Sequence, residues 1–242
     1  DYCKKMIKTN WHPVGTCKMG KDNDNSAVLN SKLQVKAIDI DNDGDQDLSI
    51  TSNVVPWEFG ETPIQYIFEN DGQANFKDVT SKFSNEFQHI GNVQDIVWVD
   101  VNQDTYLDAI VVGYWMPISL FINDGEKLIL QNKNNLDNTN GWWNTVQASD
   151  FDNDGDFDFI AGNWGLNTRL SASPKEPITL YRNDFDDNET IDPVITYFYK
   201  GEETPFASKD DLVKQLPFLN KKYLSYKDFS NARFTELFPK SK

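Results

Sequence analysis

The stretch DFDNDGDFDFIAGN, residues 150–163, sets acidic side chains at every second position and then runs directly into apolar residues. Asp150, Asp152 and Asp154 alternate, Gly155 marks a sharp turn, and Asp156 and Asp158 close the loop. A tight loop with this spacing turns positions 1, 3 and 5 inward. It adds the backbone carbonyl of position 7 and a carboxylate from position 9, which approaches the six to eight oxygens that calcium prefers. Clustered carboxylates repel one another unless a cation joins them, so calcium is the first partner expected. An EF-hand would need Glu at position 12 and flanking helices. Position 12 here is Ala161, inside a short apolar run that reads as a strand.

The pattern recurs three more times. Asp39, Asp41, Asp43, Asp45 and Asp47 repeat it with Gly44 at the turn. Asp100, Asn102, Asp104, Tyr106 and Asp108 carry Thr105 where glycine is expected, and Asp184, Asp186, Asn188, Thr190 and Asp192 carry Glu189 there. Side chains fit a positive φ poorly, so loops 39–47 and 150–158 are the stronger expected sites. Strand-like runs LSITS, AIVVG and FIAGN follow the first three loops. Further runs IQYIFENDG, ISLFINDG and ITLYRND come next, and the Asn-Asp-Gly tips at Asn70 and Asn123 signal hairpins. The loops start at residues 39, 100, 150 and 184, and the last interval is the shortest. ITLYRND is therefore expected as the outer strand of the third unit, its Asn183-Asp184 tip growing into the fourth loop.

A repeated unit of one loop and three or four short strands is the signature of a β-propeller blade. Residues 34–200 resemble FG-GAP/VCBS repeats, the calcium-loop blades of integrin α-subunit propellers and of bacterial surface proteins. The resemblance implies a mainly β chain with an incomplete propeller of about three blades in an open arc. It also implies an extracellular, periplasmic or cell-surface location and a protein or glycan ligand. Trp142, Trp143 and Trp164 could stack on sugar rings, although packing between blades is the favoured role for them.

Upstream, NWHPVGTCKMG (Asn10 to Gly20) places His12 before Pro13, which biases it away from helix. Residues 1–38 resemble the C-terminal segment of GMC (glucose-methanol-choline) flavin oxidoreductases, and that resemblance would make His12 the general base beside the flavin. No G-x-G-x-x-G motif occurs in the sequence, so FAD is not expected to bind. The chain is thus expected to be non-catalytic as it stands, with a GMC alcohol or choline dehydrogenase fragment as the alternative reading. The seam falls near Ala37–Asp39, giving segments 1–38, 39–200 and 201–242. Cys3 and Cys17 suit either a small disulfide loop or two free thiols.

Bulk properties agree with a folded acidic module. The chain has 242 residues, 13% aromatics, a mean hydropathy of −0.60 and a net charge of −15. That charge argues against nucleic acid as a partner, and no run is long and apolar enough to span a bilayer. In the tail, Ser208 and Asp211 resemble a capping box, followed by Leu212, Leu216 and Leu219 at helical spacing. Pro217 is expected to break that helix.

Overall fold

The computed structural model describes residues 19–20, 29–30, 38–132, 134–165, 168 and 170–238. His12, Cys3 and Cys17 lie outside the described residues. The chain is mainly β and divides into two compact bodies: residues 1–54 with 62–163, and residues 55–61 with 164–242. Near the N-terminus, β1 (Met19–Gly20) pairs in parallel with β2 (Leu29–Asn30).

In the first body the acidic loops join consecutive antiparallel strands. Loop 39–47 is closed by a bridge between Ile38 and Asp47 and leads into β3 (Leu48–Ile50), which forms a meander with β4 (Tyr66–Asn70) and β5 (Phe76–Asp78). Two short helices follow, α1 (Thr80–Phe83) and α2 (Asn85–Gln88). Loop 100–108 joins β6 (Asn92–Val99) to β7 (Asp108–Met116), and β8 (Ser119–Asn123) and β9 (Leu128–Leu130) extend the sheet. Loop 150–158 joins β10 (Gly141–Ser149) to β11 (Asp158–Asn163). The start of β10 also meets the end of β7, through Gly141↔Met116 and Trp142↔Tyr114.

Alternation along β7 explains how these repeats pack. Ala109 and Val111 enter one cluster with Ile40, Ile67, Phe87 and Phe121, contributed by the first two repeats. Ile110 and Val112 enter another with Val97, Val99 and Val146, which links the second repeat to the third. A strand buried on both faces must be apolar throughout, and AIVV is. Trp143 serves the second cluster, its ring N–H donating to Thr139 O at 2.7 Å. Trp142 instead packs edge-on against Trp115, with ring centroids 5.0 Å apart.

ITLYRND is a strand, as expected, and lies in the second body. β12 (Thr179–Asn183) pairs across loop 184–192 with β13 (Asp192–Tyr199), through Asn183↔Asp192, and β13 pairs onward with β14 (Glu202–Pro205). β12 thus leads into the fourth loop, as β6 and β10 lead into the second and third.

The tail is helical: α3 (Lys209–Gln215), α4 (Phe218–Lys222), α5 (Tyr226–Asn231) and α6 (Phe234–Leu237). Ser208 caps α3 by accepting from Asp211 N at 3.3 Å, and Pro217 separates α3 from α4. Leu212, Leu216 and Leu219 are buried with Phe185 and Val194 of the fourth repeat. Among the described residues, no helix is long and apolar enough to cross a membrane.

Candidate metal centre

The four acidic loops share one backbone. At the fourth position Asn42, Gln103, Asn153 and Asp187 all take φ between 60° and 63°. At the sixth, Gly44 (93°), Thr105 (81°), Gly155 (97°) and Glu189 (66°) all lie in the left-handed region. The second and fourth loops therefore hold the glycine conformation with ordinary side chains, at a cost of roughly 1–2 kcal/mol each. A common hydrogen-bond set enforces it. The first aspartate of each loop accepts the sixth residue's N–H, as in Gly44 to Asp39 Oδ2 (3.1 Å) and Thr105 to Asp100 Oδ2 (2.8 Å). The pairs Gly155 to Asp150 (3.2 Å) and Glu189 to Asp184 (2.9 Å) repeat it. Each seventh N–H, on Asp45, Tyr106, Asp156 and Thr190, donates to the side chain of the fifth residue.

The ninth residue closes the loop. Asp47, Asp108, Asp158 and Asp192 each accept, through Oδ2, the N–H of the second loop residue: Ile40, Val101, Phe151 and Phe185. The Oδ1 partners differ. Asn70 N donates to Asp47 (2.9 Å) and Asn123 N to Asp108 (2.8 Å), whereas the Gln215 side chain serves Asp192 (3.3 Å). Asn70 and Asn123, read from the sequence as hairpin tips, thus act as clamps on the loop-closing carboxylates. The left-handed turn residues beside them are Gly72 and Gly125. The recurrence of Asn before Asp-Gly at the same place in both repeats was the available signal.

Three loops gather carboxylates. Oxygens of Asp39, Asp41 and Asp43 lie within 4.8 Å of one another, as do those of Asp150, Asp152 and Asp158, and of Asp184, Asp186 and Asp192. Among the described residues loop 100–108 gathers no such trio; there the Asn102 amide donates to Asp104 Oδ2 at 2.8 Å and occupies one of the oxygens. Burial raises the carboxyl pKa of Asp41, Asp47, Asp108 and Asp192, and at Asp156 the cause is a hydrogen bond to the neighbouring Asp154 that favours Asp156 in its protonated, donating form.

The chemistry of these loops fits a hard cation. Buried polar atoms are almost always hydrogen-bonded. Yet Asp39 Oδ1 and Asp186 Oδ1 are buried with no hydrogen-bond partner, each inside a carboxylate trio. An all-oxygen donor set with orphaned carboxylate oxygens suits calcium better than a softer, nitrogen- or sulfur-seeking metal. Neighbouring loops are also tied together: Asn42 Nδ2 donates to Thr105 O (3.1 Å) and Gln103 Nε2 to Gly155 O (3.3 Å).

Comparison with protein families places two segments. Residues 100–161, spanning the second loop, the third loop and the strands between them, match the model of the FG-GAP-like repeat. Residues 1–40 match that of GMC oxidoreductase. No curated protein matches the chain.

Proposed function

We propose that residues 39–200 form a calcium-loaded FG-GAP/VCBS binding module of an exported protein, its repeats standing as blades of an open propeller arc. The observation that carries this reading is the one backbone repeated in four acidic loops, with orphaned carboxylate oxygens in two of them. Asp39, Asp41 and Asp43 would hold one ion, Asp150, Asp152 and Asp158 a second, and Asp184, Asp186 and Asp192 a third. When bound, calcium supplies positive charge that offsets carboxylate repulsion. The protein's own part is to fix those oxygens: the shared left-handed residues set the loop path, and the ninth aspartates fasten each loop to its strands. Loops so fastened present a rigid surface to a protein or glycan ligand.

Isothermal titration with calcium tests the metal assignment. Saturable binding is expected, and Asp152→Asn should weaken one class of site while leaving the others in place. Absence of binding at millimolar calcium would refute the assignment. The GMC oxidoreductase match ends at residue 40, and we assign no redox step to this chain.

A further inference from the structure

The fourth residue of each acidic loop takes φ between 60° and 63°, which sets the direction in which its side chain leaves the turn. In the first two loops that side chain carries an amide, and the amide reaches the following loop. Asn42 Nδ2 donates to Thr105 O at 3.1 Å, and Gln103 Nε2 donates to Gly155 O at 3.3 Å. Both times the fourth residue of one loop holds the sixth carbonyl of the next. Loops 39–47, 100–108 and 150–158 are thereby linked in a row within the first body.

The link grips a part of the loop that matters for a cation. The C=O of the sixth residue and the N–H of the seventh belong to one peptide plane. In loop 100–108 Asn42 holds the C=O of Thr105, while Tyr106 N donates to Asp104 Oδ1 at 2.9 Å. In loop 150–158 Gln103 holds the C=O of Gly155, while Asp156 N donates to Asp154 Oδ1 at 3.1 Å. Each plane is pinned from both sides, and it leads into the seventh residue, whose carbonyl such a loop offers to calcium. The donor at the start of the row is equally well placed. Asn42 sits between Asp41 and Asp43 of the first carboxylate trio, so an ion there fixes the backbone that aims its amide.

Loop 100–108 gathers no such trio among the described residues, yet its own hydrogen bonds hold the same left-handed backbone. It passes order along without holding an ion. On the side of the first loop a second tie runs beside Asn42, because Asn123 Nδ2 donates to both Ile40 O and Leu107 O. On the side of loop 150–158 the tie is Gln103, an exposed side chain that can be replaced without opening the core.

We infer that calcium binding at loop 39–47 and at loop 150–158 is positively coupled, with loop 100–108 as the relay and Asn42 and Gln103 as positioning residues. Ordering one loop lowers the conformational cost of ordering the next, and the coupling is reciprocal. Its sign identifies its cause. Two cations in separate loops repel, so electrostatics alone makes each ion weaken the other. The inference rests on the calcium reading and adds a regulation to it.

Amide hydrogen exchange of the full chain across a calcium titration reads each loop separately. Asp41→Asn should raise the calcium midpoint for protection of the Asp154–Asp156 amides about threefold, the scale of one hydrogen bond. Asp152→Asn should raise the midpoint of the Asp43–Asp45 amides by a like factor. In a Gln103→Met background, which keeps the side-chain length and removes the amide, Asp41→Asn should leave loop 150–158 unmoved. An unmoved or lowered midpoint at loop 150–158 in Asp41→Asn alone would overturn the inference. So would a rise that survives Gln103→Met undiminished. The first arm decides without the Gln103 variant, so the outcome does not depend on how that variant folds. Calcium that protects no loop refutes the metal assignment, and calcium that protects each loop independently refutes the coupling alone.

Discussion

Asn123→Ala removes a small side chain that fastens two loops at once. Asn123 is fully buried; its Nδ2 donates to Ile40 O (2.7 Å) and Leu107 O (3.2 Å), and its Oδ1 accepts from Gly125 N (2.9 Å). Alanine deletes three hydrogen bonds and leaves two carbonyls and one N–H without partners. At about 1 kcal/mol net per bond, the first body should lose about 3 kcal/mol. Asn70→Ala is the internal control. Its side chain makes one surface bond, to Gln46 O at 3.0 Å, while its Oδ1 is buried and unpartnered, so the loss should stay below about 1 kcal/mol. Native-state hydrogen exchange at Ile110–Val112, deep in the first body, reads both values locally. Equal costs for the two variants, or a cost below about 1 kcal/mol for Asn123→Ala, would refute the argument that this side chain holds the first loop to the second repeat.

Gly155→Ala isolates the price of the loop backbone. A methyl there meets nothing within 4 Å, so the left-handed φ of 97° is the whole effect, and a loss of about 1 kcal/mol in chemical denaturation is expected; no loss would mean the loop backbone relaxes. The raised pKa values of Asp41, Asp47 and Asp192 set a pH dependence. These groups bind protons more readily in the folded, metal-free chain than in the unfolded chain. The stability they contribute is complete below the ordinary aspartate value of about 4 and is lost as pH rises through the raised folded values. Calcium requires the same oxygens deprotonated, so its affinity should fall as pH is lowered into that window. Calorimetry showing the same affinity from pH 7 down to about 4 would contradict this.

Much of the site was legible because its determinants are local. Alternating aspartates with a glycine define a loop within nine residues, and the Ser208 cap and Pro217 define α3 within ten. What escaped the sequence depended on distant partners. Thr105 and Glu189 look wrong for a left-handed position, yet Asp100 and Asp184 hold their N–H groups and fix the turn regardless. ITLYRND reads as a strand locally, but its partner β13 lies beyond the fourth loop and only the fold shows the pairing. Trp142 and Trp143 are adjacent and identical in type; strand alternation sends Trp143 into the core cluster and Trp142 against Trp115. No local pattern distinguishes two such neighbours.

The central claim is that calcium belongs to the folded loops, and thermal melting in excess calcium against excess chelator tests it most directly. A ligand bound only by the folded state raises its stability by RT ln(1 + [L]/Kd), about 2.7 kcal/mol for one site at a hundredfold excess over Kd. A clear upward shift of the melting temperature in calcium is expected, reduced by Asp152→Asn. Identical melting curves in calcium and in chelator would contradict it.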